Sequence, residues 1–264
     1  MLPLLLAAGA LRITDSSRAG SNALRNAALE FSISCNTDIR IDRMPAKQSM
    51  MIIPQKTVDI AVLEEKDIPE ELKNSPKIFL GAEVLLIYVN RANPLADLPQ
   101  KKAAEIFSAE RPRWSELGGL NRAIHRFNLK TTAEHAGLDR ELFKSFAAKE
   151  VVGLSHAGDV VQMTAADPEA MGFAHFCMAK DEVKILSVDG VFPDRKNIFN
   201  GRYPLAKKYF LIVVKPSDDA DKFVGFLKKD LASKVRKDMW ILPEENTSRQ
   251  TFEHNRKLNF MKEK

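Results

Sequence analysis

The sequence predicts an α/β protein. Short apolar runs with a period of two alternate along the chain with runs at helical spacing, which is the α/β signature. A continuous β-branched stretch, Ala82–Val89, fits a strand buried on both faces. At 264 residues the chain can also bury a large core, in one domain or two lobes. In order, Leu11–Thr14 reads as a first strand. Ser16, Ser17 and Ser21 then offer helix caps, and Leu24, Ala27, Ala28 and Phe31 follow at helical spacing. Ile39 and Ile41 alternate in a second strand, and Val58, Ile60 and Val62 in a third. Beyond Asn93-Pro94, Leu98-Pro99 opens a helix through Phe107, with proline at a favoured early position. Ala123–Leu129 is a strand, and Leu138–Lys149 and Gly158–Ala166 are helices. Met171–Phe176, Val183–Val188 and Tyr209–Val214 are strands. Asp218–Met239 is a long helix whose stripe is Phe223, Phe226, Leu227 and Leu231.

Bulk properties narrow the function classes. The composition, 45% hydrophobic and 28% charged, is that of an ordinary globular protein. No apolar run reaches the length of a membrane span. The net charge of +5 is small and its lysines and arginines are mixed with acids, so it favours a solvated mixed surface over a nucleic-acid footprint. The basic tail His254–Lys264 reads as a solvated terminus first and a docking patch second. The five histidines, His125, His135, His156, His175 and His254, have no metal-ligand spacing. His175 and Cys177 flank Phe176 on a strand, but two ligands are too few to hold zinc. No nucleophile elbow or Walker loop is present. A binding protein without metal or cofactor is expected, not an enzyme. Cys35 and Cys177 are isolated in sequence, and a bridge between them is undecided at this level.

The segment Ala104–Gly119, AEIFSAERPRWSELGG, comes after an apolar strand that ends in Asn93-Pro94. Asp167–Phe176, DPEAMGFAHF, and Val183–Val213, VKILSVDGVFPDRKNIFNGRYPLAKKYFLIV, come after it in fixed order. Together these resemble the hinge-and-lobe segments of phosphate ABC-transporter substrate-binding proteins. The resemblance runs from about Leu11 to Leu231 and is strongest after Val84. It implies a two-lobed periplasmic binding protein-like (type II) α/β fold with two hinge crossings, near Tyr88–Asn93 and Gly201–Tyr209. On that division residues 11–88 form lobe I, residues 89–203 form lobe II, and residues 204–264 return to lobe I with a C-terminal helix and tail. Met1–Ala10, MLPLLLAAGA, reads as a residual signal peptide ending in Ala8-Gly9-Ala10, which implies export to the periplasm or beyond; the alternative is a first buried strand.

The resemblance also implies a site. Such receptors hold a small anion with backbone N–H groups, hydroxyls and an arginine. The first loop here is Asp15–Ser21. Its hydroxyls, Ser16, Ser17 and Ser21, are kept, Arg18 favours an anion and Asp15 opposes one. In the second loop only Ser49 keeps the role, and Pro45 removes a donor. Glu64 falls where the family carries an acid that accepts the proton of protonated phosphate. The arginine-and-hydroxyl loop becomes Arg126, then Lys130, Thr131 and Thr132, with Arg126 and Thr132 matching. Each has a plainer alternative: an N-cap for the serines, a solvated turn for Glu64, a surface arginine on an edge strand for Arg126. The expected function is an exported, monomeric solute-binding protein that closes on phosphate or a related anion and docks on an ABC permease. The rival is a non-transport descendant of the fold that has lost phosphate binding and acts through a protein partner or another ligand.

Overall fold

A computed structural model describes residues 10–17, 21–129, 151–175 and 181–230 of the chain. They fall into two compact units, one built from the chain up to Ala82 and from Lys207 onward, the other from Glu83–Ala206.

In the first unit, β1 (Leu11–Asp15) lies between β2 (Ile39–Arg43) and β3 (Ile60–Glu64), parallel to both. β11 (Ala206–Val213) adds antiparallel to β3. The parallel strands are joined through α1 (Ser21–Cys35) and α2 (Ala46–Ile52). Strand alternation sends Leu11, Ile13, Ile60, Val62, Leu211 and Val213 to one face, into a cluster with Phe31 of α1 and Phe223 of α6 (Asp218–Asp230). Phe31 meets Phe223 and Phe226 edge-on, at centroid distances of 5.2 and 5.4 Å. Ala61, Leu63 and Ile212 point the other way, onto Ile53, Val58, Ile68 and Leu72. The sheet is therefore covered on both sides, as parallel strands require.

In the second unit, β8 (Ala170–His175) is central. It pairs antiparallel with β4 (Lys77–Asn90) and parallel with β6 (His125–Leu129), and β7 (Val151–Leu154) adds parallel to β6. β4 as a whole spans Lys77–Asn90, longer than its apolar run predicts, and also carries β9 (Val183–Ile185) antiparallel. β5 (Asp97–Leu98) and β10 (Ser187–Val188) make a separate two-stranded ladder. α3 (Gln100–Ser108) packs Phe107 against Phe173 of β8. The short α5 (Arg195–Phe199) is capped by the Asp194 carboxylate, which accepts from Asn197 N–H at 2.8 Å. Trp114 closes the turn after α3: it is buried, and its indole N–H donates to the Glu169 carbonyl at 3.2 Å. Gly118, at φ +80°, allows that turn to reverse.

The division differs from the sequence expectation at both crossings. Val84–Tyr88 is expected in the first lobe. It belongs to the second unit because Leu85–Val89 pairs with β8 and Tyr88–Asn90 with β9. Pro204–Ala206 goes with it, and the Leu85 N–H donates to the Leu205 carbonyl at 2.9 Å. β7, β5 and α5 have no counterpart among the expected elements, and the strand expected at Val183–Val188 is divided into β9 and β10. The helix expected at 138–149, the end of the strand at Phe176, and the helix beyond Asp230 lie outside the described residues.

α4 (Ala157–Ala166) crosses β8 at Gly172 so closely that a Cβ there would collide with Thr164 Oγ1 and touch Val160 Cγ1 at 3.0 Å. Gly172→Ala should therefore destabilise by about 1–3 kcal/mol in chemical denaturation. Adding Thr164→Ala should recover part of that loss. Equal stability of wild type and Gly172→Ala would refute the close crossing.

Candidate functional site

The polar residues of the first unit collect at the carboxyl ends of its parallel strands, where open α/β sheets bind ligands. The register decides this. Asp15 ends β1 opposite Arg43 of β2 and Val62 of β3. Asp15 is 1% exposed, since both neighbouring strands cover it. Its Oδ1 accepts two hydrogen bonds from Ser17, one from the backbone N–H at 2.8 Å and one from the hydroxyl at 2.6 Å. Its Oδ2 is buried and has no hydrogen-bond partner. Burial pushes the Asp15 carboxyl up from its ordinary 3.8. The two Ser17 bonds and the charges of Arg43 and Arg25 pull the other way without cancelling it.

Neighbouring hydroxyls are engaged within the protein. Ser16 donates both its N–H (3.0 Å) and its hydroxyl (2.7 Å) to the Val62 carbonyl, extending the β1–β3 ladder. Ser49, fully buried in α2, shares a 2.9 Å hydrogen bond with Thr14. Thr14 and Asp15 are successive on β1, so they leave the strand on opposite faces. Glu64 ends β3 mostly buried. Its oxygens lie 3.2 Å from Lys66 and 3.6 Å from the buried Lys207. Burial still outweighs the two lysines and raises the Glu64 carboxyl. A solvated turn at Glu64 is thus replaced by a shielded ion pair. Ser21 opens α1 and its side chain lies outside the described residues.

Arg126 is neither an edge arginine nor turned outward. It is 2% exposed on β6, a strand paired on both sides. Its guanidinium donates to the carbonyls of Ile106 (2.8 Å), Ala109 (2.6 Å) and Glu110 (3.1 Å). These lie at the end of α3, whose last carbonyls have no intrahelical partner and whose dipole is negative there. A cavity of about 390 Å³ beside it is lined by Arg111, Arg113, His125 and Asp167, with His125 Nδ1 2.6 Å from the Asp167 carboxylate. Lys130, Thr131 and Thr132 lie outside the described residues. The structure therefore places Ser16 and Ser17 just after β1, Ser49 in α2 against Thr14 and Glu64 at the end of β3, and it commits Arg126 to α3. The residues missed by sequence reasoning are Lys207, the buried partner of Glu64, and Asp15 as an acceptor; the polar end of an apolar strand is the signal for the latter. Among the described residues no group of three or more His, Cys, Asp or Glu could hold a metal ion, and no helix is long and apolar enough to cross a membrane.

This geometry has two consequences for stability. Because folding raises the Asp15 carboxyl, the cost of ionising it is absent below 3.8 and grows as pH climbs through the raised value. Asp15→Asn should therefore melt higher than wild type at about pH 7, with the gap closing toward about pH 4. A gap that widens in acid would refute the assignment. Arg126→Ala should lose roughly 3 kcal/mol or more in denaturant melts, since several hydrogen bonds from a buried cation go at once. An unchanged midpoint would show that α3 does not depend on it.

A family model described as a PBP superfamily domain matches residues 7–230 of the chain. The chain is 26% identical over 251 residues to the phosphate-binding protein PstS of Bacillus subtilis (strain 168), across 90% of this chain and 81% of that protein. Among solved structures it resembles PstS from Borrelia burgdorferi (TM-score 0.67, 18% identity, 87% of this chain and 96% of that one). It also resembles an ABC-type phosphate transport receptor from Vibrio cholerae (TM-score 0.65, 18% identity, 88% and 100%). At these identities the two structures establish the fold, which is the two-lobed type II α/β fold of periplasmic binding proteins. The chain belongs to the PBP superfamily domain family, as a divergent relative of phosphate-binding proteins.

Proposed function

We propose that this chain is an exported solute-binding protein that takes a small oxyanion, phosphate or a close relative, and presents it as a monomer to an ABC permease. The observation that carries the reading is that the chain is related along 90% of its length to a phosphate-binding protein, and that Ser16 and Ser17 follow the carboxyl end of β1, with Glu64 at the end of the neighbouring β3. Hydroxyls and loop N–H groups at such strand ends are the donors an oxyanion needs. Arg43 and the buried Lys207 add positive charge at the same edge. The role is binding rather than catalysis. Export rests on Met1–Ala10, with cleavage after Ala10.

The second reading, a descendant that no longer binds phosphate, is favoured by one observation. The guanidinium of Arg126, the residue matching the family's arginine, is spent on the carbonyls after α3. Melting curves with phosphate, sulfate, methylphosphonate and a carboxylate separate the two. An oxyanion held at a hundred times its dissociation constant should stabilise the protein by about 2.7 kcal/mol. No shift with any anion would favour the second reading.

A further inference from the structure

The second unit carries a cavity of about 390 Å³ that neither reading uses. It lies where three parallel strands begin: His125 opens β6, Val152 is the second residue of β7, and Asp167 precedes β8. The cavity is therefore at their amino ends, the edge opposite the one at which open α/β sheets bind ligands. Its lining is of two kinds. Pro112, Ile124 and Phe127 are apolar and buried, whereas Arg111 and Arg113, on either side of Pro112, are exposed. Val152 adds an apolar side chain that is 50% exposed.

The charges are unequal. Among the described residues that line the cavity, Arg111, Arg113 and the buried Arg126 stand against one carboxylate, Asp167. That carboxylate is already engaged: Oδ2 lies 2.6 Å from His125 Nδ1, and Oδ1 accepts from the Glu169 N–H at 2.9 Å. Arg113 uses one terminal nitrogen on Asn121, at 3.1 Å to Oδ1 and 3.3 Å to the carbonyl, and its planar fork carries a second. Exposed cations beside a buried apolar surface suit an anion attached to an apolar body. The volume is that of a small-molecule site. We propose that this cavity is a second binding site, for a small organic monocarboxylate whose carboxylate meets Arg111 and Arg113 and whose aromatic or branched body rests on Ile124, Phe127 and Val152. Arginine forks match a carboxylate in two-point contact. Asp167 disfavours a second negative charge, and the apolar residues offer nothing to a ligand without a body, so inorganic phosphate is a poor fit.

Calorimetric titration of the full chain with benzoate, at constant ionic strength, tests the proposal. A ligand this small should bind wild type with a dissociation constant of roughly a millimolar. Benzamide keeps the shape without the charge and should bind about tenfold more weakly or worse. Arg113→Gln should weaken benzoate by about tenfold. Val152→Asp, at an exposed position, brings a second carboxylate to the wall and should weaken benzoate at least as much. Arg40→Gln, which removes an exposed arginine from β2 of the first unit, should leave benzoate affinity unchanged. Excess phosphate should leave it unchanged too, because the residues of the oxyanion reading lie in the first unit. Melting curves show whether each variant keeps its fold. Equal benzoate affinity in wild type, Arg113→Gln and Val152→Asp overturns the site, and so does equal affinity for benzamide, displacement of benzoate by phosphate, or no saturable binding in wild type. Loss of the second site by any of the other three results leaves oxyanion binding by the first unit untouched, and phosphate titration of the same wild-type protein reads that separately.

Discussion

The register of β1 between two parallel neighbours sets the layout of the first unit. Leu11 and Ile13 must face the Phe31–Phe223 side, and the side-chain period of a strand leaves no freedom after that choice. Thr14 is delivered to Ser49, and Asp15 is delivered to the buried carboxyl end beside Arg43 and Val62. A slip of one residue would put Ile13 where Thr14 now bonds Ser49 and would move the carboxylate to the opposite face of the sheet. The apolar alternation that makes the sheet stable is thus the same constraint that places the chemistry at its edge.

A carboxylate buried in that position has its cost only partly offset. Two hydrogen bonds from Ser17 satisfy one oxygen, and two arginines act on it from β2 and α1. The second oxygen has nothing. Buried polar groups without a partner are uncommon and tend to mark function, because selection for stability alone would remove them. Glu64, at the end of the neighbouring strand, shows the contrasting solution: two lysines stand against one carboxylate, and the group is structural as well as polar.

The second unit uses its buried cation differently. Arg126 lies on a strand with partners on both sides, so its guanidinium has to find acceptors inside the unit. The carbonyls left open at the end of α3 supply them, and the planar fork of donors suits three oxygens at once. The fold of the family is retained while an arginine with the family's spacing serves a helix end. Membership of a superfamily fixes the architecture, and the site chemistry has to be read from the side chains themselves.

Apolar periodicity is a local property that survives divergence, so the α/β class and most strands and helices were legible in the chain alone, and the family was legible in the motifs of Ala104–Gly119, Asp167–Phe176 and Val183–Val213. The resemblance to the family's ligand loops marked Ser16, Ser17, Ser49 and Glu64 as candidates. It could not assign their partners. That Ser17 serves Asp15, that Glu64 meets a lysine far along the chain at Lys207, and that Arg126 reaches back to α3 depend on pairings across many residues, which spacing does not encode. The end of β4 was misassigned for the same reason. A continuous apolar run says that a strand is covered on both faces, but only the ladder to β8 and β9 says with which strands it pairs. Local pattern specifies which side chains are buried. Hydrogen-bond pairing between distant segments decides what each buried polar group is for.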